Sequence, residues 1–340
     1  MVGGALVALS LVLPAACSSG SSATAPSLLT TTSPPDTSVP GTATRPTTTR
    51  PARSTTARPV PAPAAATTTL QVDLTDTSRP TVSQGATVAP TRHLPTTVYL
   101  PATAGGTPTG HDLPWLVFLH GYGVTPATYD QLLRSWAAAG FAVAAPTLPL
   151  TSGTGPYPQD EADQVNEPAD VTFLITSLLH LSASSTGPLA GRLDPARVGV
   201  AGHSDGSDVA FTSGYSTRFA DPRVRAVVDL SGELPTGMGP FAPQAAGPPL
   251  LMVVSDADEF VPLSHSQELY GARCCAKWWV ELHGVAHLPP FAGQEPWAGV
   301  VRRVTIDFLD RELAGDALPA GRLERDAAVP QVSSLQGSAP

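Results

Sequence analysis

The chain has 340 residues, of which 42% are hydrophobic and 14% charged, and its formal net charge at pH 7 is -9. This length and apolar content predict one domain of ordinary to large size together with some non-globular sequence. The acidic balance, with Lys277 as the only lysine, argues against a nucleic-acid partner, because nucleic-acid binding draws its affinity from clustered lysine and arginine.

The first 17 residues form an apolar segment that is shorter than the about 20 residues needed to cross a bilayer, and small residues follow it. We predict a signal peptide over residues 1–17, and therefore export. Because Cys17 follows Pro14-Ala-Ala and precedes Ser-Ser-Gly, the segment resembles a bacterial lipoprotein signal, which implies that Cys17 is lipidated and anchors the protein to a membrane. Cleavage by an ordinary signal peptidase, giving a secreted protein, stays open, since Pro14 stands where such signals carry an aliphatic residue and no basic residue precedes it.

Residues 18–69 are almost entirely Ser, Thr, Pro, Ala and Gly, a composition that cannot bury a core. We predict a disordered linker there, followed by the folded domain at residues 70–313. The tail at 314–340 is polar and interrupted by Pro319, and we expect it either to pack on the domain or to be loose.

From Leu70 onward, apolar runs of strand length alternate with stretches of helical periodicity. The predicted strands are residues 94–100, 115–119, 141–145, 197–201, 224–230, 250–254 and 278–282. The predicted helices are residues 126–139, 168–181, 205–214 and 300–313. This alternation predicts an α/β fold with a mostly parallel central sheet and helices on both faces.

The stretch VGVAGHSDGS, residues 198–207, places Ser204 between a strand signal and a helix signal, with glycines two residues before and after it. A serine at such a strand-to-helix turn is exposed above the sheet beside the positive end of a helix, as a nucleophile must be. It also needs an imidazole to take its proton and a carboxylate to orient that imidazole. Two later strands are followed by such groups, Asp256 and Asp258 after the first and His283 and His287 after the second, and the residues alone leave both choices open.

Four motifs resemble the α/β-hydrolase superfamily, in particular secreted actinobacterial esterases related to the dienelactone-hydrolase-like and platelet-activating-factor-acetylhydrolase-like groups. They are Gly202-His-Ser-Asp-Gly206, His120-Gly-Tyr-Gly123, Asp258 with the following Phe260-Val-Pro262, and Gly284-Val-Ala-His287. The resemblance implies the α/β-hydrolase fold and a triad of Ser204, Asp258 and His287. It also implies an oxyanion hole made by the backbone N–H groups of Tyr122 and Asp205, and Asp256 and His283 remain the alternatives for the acid and the base.

The motifs together predict a serine hydrolase that cleaves carboxylic esters through an acyl-enzyme intermediate, acting on a small-molecule or lipid ester. The connection between the strands at 224–230 and 250–254 is too short for a helical lid domain, so we expect an open site. A thioesterase, an acyltransferase or a polyester hydrolase would carry the same triad. A non-catalytic, surface-attached binding protein on a hydrolase scaffold is the alternative of a different class, because fold does not guarantee activity.

We expect the side chain of Asp205 to face outward, where a carboxylate favours the positive helix N-terminus instead of opposing the oxyanion. The histidines and cysteines show no metal-ligand spacing and no glycine loop for phosphate is present, so we expect neither metal nor cofactor. Cys274 and Cys275 are adjacent and are expected to be thiols, a strained vicinal disulfide being the alternative. The protein is expected to be a monomer whose only membrane contact is the lipid anchor.

Overall fold

The computed structural model describes residues 66–234, 236–241, 247–271 and 276–336. Its strands are β1 (Thr67–Asp76), β2 (Thr81–Ser83), β3 (Ala86–Ala89), β4 (Arg92–Pro101), β5 (Leu113–Leu119), β6 (Ala142–Pro146), β7 (Leu193–His203), β8 (Val224–Leu230), β9 (Leu250–Ser255), β10 (Lys277–Leu282) and β11 (Ser333–Gln336). Its α-helices are α1 (Asp130–Ala139), α2 (Glu167–Ala183), α3 (Asp205–Tyr215), α4 (Leu263–Gly271), α5 (Trp297–Leu309) and α6 (Arg322–Ala327). Short 3₁₀ turns precede α1 and α2, at Pro126–Tyr129 and Glu161–Asn166.

Nine strands form one sheet in the order β1-β4-β6-β5-β7-β8-β9-β10-β11. The six strands from β6 to β10 in that order are parallel to their neighbours. The strands β4, β1 and β11 add antiparallel edges. Every predicted strand and helix overlaps an observed element, and the sheet is mostly parallel, as predicted. The strand predicted at 141–145 begins one residue later, at Ala142, and the end of the helix predicted at 300–313 is a π-helical turn, Asp310–Ala314, that follows α5.

Side chains from alternate positions of the central strands enter two separate cores, one on each face of the sheet. In β5, Leu116 and Phe118 join the core that packs under α1 and α5. Trp115, Val117 and Leu119 of the same strand join the core under α2 and α3. The continuous apolar runs of the sequence are therefore strands that are buried on both faces, as parallel strands are.

The predicted boundaries differ from the structure at both ends of the domain. Strand β1 begins at Thr67 and pairs along its whole length with β4, from Thr67 opposite Pro101 to Asp76 opposite Arg92. The tail after residue 313 contributes α6 and β11, and β11 extends the sheet by pairing with β10. Both edge strands contain few apolar residues, TTTLQVDLTD in β1 and SSLQ in β11. Because one face of an edge strand meets solvent, its sequence lacks the continuous apolar run that marks the central strands.

The connection between β8 and β9 carries no helix in its described residues, 231–234, 236–241 and 247–249, so no helical lid from this part of the chain covers the adjacent sheet edge. Of the helices in the described ranges, none is both long and apolar enough to cross a membrane. The predicted signal segment, Cys17, nearly all of the linker, and the pair Cys274 and Cys275 lie outside the described residues.

Candidate active site

Ser204 lies on the sharp turn between β7 and α3, at the carboxyl edge of the parallel sheet. Its backbone has φ 56° and ψ -130°, a strained conformation for a residue that has a Cβ. The backbone N–H of Ser204 donates to the carbonyl of Leu230 at the end of β8, 3.0 Å away, and this bond holds the turn against the sheet. Ser204 is half-buried, so part of this residue is accessible to solvent.

The two glycines around Ser204 are required by close approach of the backbone. A Cβ built on Gly202 would lie 2.0 Å from the carbonyl oxygen of Gly206. A Cβ on Gly206 would lie 2.2 Å from the carbonyl oxygen of Leu119, at the end of β5. Real Cβ atoms do not approach this closely, so any other residue would force the turn and the end of β5 apart.

His287 and Asp258 form a buried pair at the same edge of the sheet. The Nδ1 of His287 lies 2.7 Å from Oδ2 of Asp258, and their side chains are 7% and 2% exposed. Asp258 follows β9, and its Oδ1 accepts from the backbone N–H groups of Phe260 and Val261 at 3.0 and 2.9 Å. Burial alone would raise the pKa of Asp258, but the bonds from His287 and from these backbone groups outweigh it and leave the pKa below its ordinary value.

The alternative acid and base, Asp256 and His283, bind each other instead. Their Oδ2 and Nδ1 atoms are 2.8 Å apart, and the two side chains are 35% and 32% exposed. The Oδ1 of Asp256 accepts from the backbone N–H of Gly284 at 2.7 Å, and this bond, with the one from His283, lowers the pKa of Asp256 against the opposing effect of burial. The structure thus sorts the four candidates into two separate pairs, and it does not join them in one network.

One group of potential metal ligands occurs among the described residues, and it lies at this exposed pair. The ligand atoms of Asp256, Glu281 and His283 are within 4.8 Å of one another. The histidine and both carboxylates already have protein partners, since Glu281 accepts from Trp279 and Gln336 at 3.3 and 3.0 Å. An ordinary ion pair therefore accounts for the contacts of this cluster.

The predicted oxyanion donors are the backbone N–H of Tyr122, in the loop after β5, and that of Asp205, the first residue of α3. A Cβ built on Gly121 would lie 3.2 Å from Cβ of Ser204, so the loop of Tyr122 passes close to the serine. Neither N–H donates a hydrogen bond to another described residue. The carbonyl of Gly121, which shares a peptide plane with the Tyr122 N–H, accepts from Nδ1 of His120 at 2.9 Å. The Nε2 of the same imidazole accepts from the backbone N–H of Leu148 at 3.2 Å, so His120 fixes the direction in which the Tyr122 N–H points. Burial lowers the pKa of His120 to about 4 and keeps it neutral for this task.

The prediction that the side chain of Asp205 faces outward is wrong. Its Oδ2 is buried and has no hydrogen-bond partner among the described residues. The turn Glu161–Asn166 packs against α3, where Nε2 of Gln164 donates to the backbone carbonyl of Asp205 at 3.1 Å. Burial, together with the nearby charges of Glu161 and Glu233, raises the pKa of Asp205 to about 6.

The loops after β9 and β10 are also bound directly to each other. The hydroxyl of Ser255, the last residue of β9, donates to the carbonyl of Val285. Glu259 accepts from the backbone N–H of His287 at 2.9 Å. The exposed ring of Phe260 lies edge-on to the imidazole of His287, with ring centroids 5.4 Å apart. Hydrogen bonds from both loops and one ring contact therefore hold His287 beside Asp258.

Two residues at the site were missed by sequence reasoning, His203 and Tyr129. His203 is visible as the residue before the serine in Gly-His-Ser-Asp-Gly, but its partner lies 74 positions away in the chain and no local pattern relates the two. The Nδ1 of His203 is 2.8 Å from the hydroxyl of Tyr129. The side chain of Tyr122 is 39% exposed, whereas Phe241 packs against Phe211, with ring centroids 5.3 Å apart.

Comparison with known proteins agrees with this architecture. Residues 65–229 match the family model described as Chlorophyllase. The solved structure of a ferulic acid esterase from Streptomyces cinnamoneus is similar, with a TM-score of 0.64 and 21% sequence identity, and the match covers 82% of this chain and 98% of that one. A search of curated proteins finds no match. The structural match confirms the predicted α/β-hydrolase fold.

Proposed function

We propose that this chain, which has the α/β-hydrolase fold, cleaves carboxylic esters with Ser204 as nucleophile, His287 as general base and Asp258 as the orienting acid. The observation that carries the proposal is the buried bond between His287 and Asp258, at the sheet edge where the strained turn raises Ser204. Chlorophyllase and ferulic acid esterase, the family and the protein to which the chain is similar, are both names of ester hydrolases, which supports the same chemistry here.

The reaction starts when Oγ of Ser204 attacks the ester carbonyl and its proton passes to Nε2 of His287. Asp258 accepts the hydrogen on Nδ1, so it selects the tautomer that leaves Nε2 free and stabilises the imidazolium that forms. The tetrahedral oxyanion is met by the N–H groups of Tyr122 and Asp205, which donate to no other described residue. His287 then returns the proton to the leaving alcohol, and water releases the acid from the acyl-enzyme by the same steps.

The substrate class that we propose is a small-molecule or lipid ester. The described part of the connection between β8 and β9 forms no helical lid over the site. The exposed side chain of Phe260 contacts the ring of His287. The exposed side chain of Tyr122 lies on the loop after β5, residues 120–123, which we call the oxyanion loop. An open, partly apolar rim suits an uncharged acyl or alcohol group of variable size.

Labelling with a fluorophosphonate probe, together with turnover of short p-nitrophenyl esters, tests this proposal. The wild-type protein should carry the probe on Ser204 and hydrolyse the esters, and Ser204→Ala should lose the adduct and lower kcat by about ten-thousandfold or more. Absence of both probe adduct and ester turnover in well-folded wild-type protein would instead support a binding protein on a hydrolase scaffold.

We also propose that the protein is exported and anchored through a lipid on Cys17, a residue outside the described range. The support is the sequence alone: an apolar start, small residues before the cysteine and a Thr/Pro-rich linker after it. Expressed in an actinobacterial host, the wild-type protein should partition with membranes and Cys17→Ser should be released. Equal partition of the two would contradict the anchor.

A further inference from the structure

The residue before the nucleophile, His203, lies in a continuous chain of hydrogen bonds between the oxyanion loop and the loop of His287. The backbone N–H of Gly121 donates to the hydroxyl oxygen of Tyr129 at 3.2 Å. That hydroxyl is 2.8 Å from Nδ1 of His203, and Nε2 of the same ring is 3.3 Å from the carbonyl oxygen of His287. The chain therefore starts at the residue before Tyr122 and ends on the backbone of His287.

The direction of each bond follows from the groups present. A carbonyl can only accept, so Nε2 of His203 carries the hydrogen and donates it to His287. Burial, together with the neighbouring His287, lowers the pKa of His203 to about 3, so the ring is neutral and its Nδ1 is a free acceptor. The hydroxyl of Tyr129 then donates to Nδ1 and accepts from Gly121, and every group in the chain is used in one consistent sense.

This chain of hydrogen bonds is rigid, because the side chains that form it are buried and closely packed. His203 is 2% exposed and Tyr129 is fully buried. The ring of His203 lies with its centroid 4.5 Å from that of His287 and 4.8 Å from that of Phe291. Phe118 packs edge-on against the Tyr129 ring, with centroids 4.9 Å apart, so neither ring can turn without opening the core.

The backbone of His287 is held at both of its polar groups, since its N–H donates to Glu259 at 2.9 Å and its carbonyl accepts from His203. The oxyanion loop is likewise held at both sides of Gly121, by Tyr129 on the N–H and by His120 on the carbonyl. His203 is the one of these groups that reaches both loops. A shift of the His287 backbone would therefore be transmitted through His203 and Tyr129 to Gly121, next to the oxyanion donor of Tyr122.

We propose that His203 is a positioning residue, which, through Tyr129, keeps the general base His287 and the oxyanion donor of Tyr122 at a fixed separation around Ser204. It takes no proton in the reaction and touches no reacting atom. It acts on the tetrahedral state, because that state alone needs the base and the oxyanion donors in register at the same time. This inference rests on the proposed ester hydrolysis.

Two variants test the proposal through the separate effects on kcat and KM and through a mimic of the tetrahedral state. Tyr129→Phe removes only the hydroxyl, and we expect kcat for a p-nitrophenyl ester to fall about tenfold with KM unchanged. His203→Phe keeps a ring of similar shape but loses both bonds, and we expect kcat to fall about thirtyfold to a hundredfold. The affinity for a trifluoromethyl ketone, which forms a tetrahedral adduct with the serine, should fall by the same factors.

Tyr215→Phe is the matched control, since it deletes another tyrosine hydroxyl that bonds a carbonyl, that of Pro248 at 3.0 Å, at the far end of α3. Its kcat and its affinity for the ketone should equal those of the wild type. The shape of the pH profile of kcat/KM should be the same in wild type and His203→Phe, because a neutral ring does not titrate in the working range. If the pH profile of His203→Phe lost its acidic or its basic limb, His203 would be a residue that transfers protons, and the positioning role would be overturned.

The outcomes separate this proposal from the one on which it depends. If the wild-type protein turns over no ester and takes no probe, the proposed function fails. If the wild type is active and both variants keep full kcat and full affinity for the ketone at unchanged melting temperature, the positioning role of His203 is refuted. If His203→Phe fails to fold, Tyr129→Phe alone decides, since it removes one oxygen and leaves the ring packing in place.

Discussion

Two aspartate–histidine pairs lie on the same two loops, and they differ in almost everything except their chemistry. Asp258 and His287 are 2.7 Å apart with side chains 2% and 7% exposed. Asp256 and His283 are 2.8 Å apart with side chains 35% and 32% exposed. Asp258 and His287 form the inner pair, and the ring of His287 contacts the rings of His203 and Phe260. Asp256 and His283 form the outer pair, which is partly exposed to solvent.

Both pairs contain the same hydrogen bond, so this bond alone does not distinguish the pair that we propose to be catalytic, Asp258 and His287, from the other. A hydrogen-bonded imidazole is useful as a base when its free nitrogen is held beside the nucleophile in a site from which water is partly excluded. Burial also removes the solvent screening that weakens the outer pair. Substitutions at equivalent positions of the two pairs can therefore measure what the environment contributes.

The largest contrast is expected between the two histidines. His287→Ala should lower kcat/KM for a p-nitrophenyl ester by about ten-thousandfold or more, because it removes the proposed general base. His283→Ala should change it by no more than about twofold, as is usual for a substitution near the surface. A large loss in both variants, with both still folded, would mean that the two pairs act as one unit.

The two carboxylates should differ in the same sense. Asp258→Asn should lower kcat by about a thousandfold to ten-thousandfold, because an amide favours the wrong tautomer of His287. Asp256→Asn has no such route to the reaction, and its kcat should stay within about twofold of the wild type. Steady-state kinetics at pH 8 measures both, and a strong loss in Asp256→Asn would place the outer pair in the mechanism.

Asp205 is a further carboxylate at this edge, and its effect on stability should have the opposite sign to that of Asp256. The pKa of Asp205 is raised to about 6, so its protonated form stabilises the fold fully below about pH 4, and this stabilisation is lost as the pH rises through 6. Asp205→Asn should therefore raise the free energy of unfolding at pH 7.5, relative to the wild type, by about 2 kcal/mol, and should have little effect at pH 4.

The pKa of Asp256 is lowered, so its contribution is present above the unfolded value of about 4 and is lost as the pH falls through the folded value. Asp256→Asn should consequently be less stable than the wild type at pH 7.5, and the difference should shrink towards pH 3. Urea unfolding of both variants at several pH values measures this. The same sign in both variants at pH 7.5 would contradict the buried state of the Asp205 carboxylate.

The smallest expected effect concerns Phe260, whose ring contacts His287 of the inner pair. Phe260→Ala removes the edge-on contact with His287 and should lower kcat by about threefold, in line with the modest energy of one aromatic contact. Phe219→Ala is the control, since that ring stacks on Arg218 outside both pairs, at 4.6 Å from the guanidinium carbon to the ring centroid. Equal kcat in the two variants would show that the Phe260 ring does not help to hold the base.

Much of the fold could be predicted because its signals are local. The parallel strands are continuous apolar runs, and the serine turn is marked by glycines at 202 and 206, where a Cβ would lie 2.0 and 2.2 Å from a carbonyl oxygen. The edge strands β1 and β11 gave weaker signals, because their sequences are mostly polar. In addition, β11 pairs with β10, more than 50 residues earlier in the chain, and no local pattern predicts that pairing.

The sequence by itself determined the fold class, the position of the serine turn and the two loops from which an acid and a base could come, because glycine spacing and apolar runs act within a few residues. Only the tertiary structure decided how the acids and bases pair, which way Asp205 turns, and that His203 reaches Tyr129 and His287. These are contacts between segments that lie 27 to 84 positions apart. Burial and partner distance at a sheet edge arise only when the strands that carry these loops are side by side.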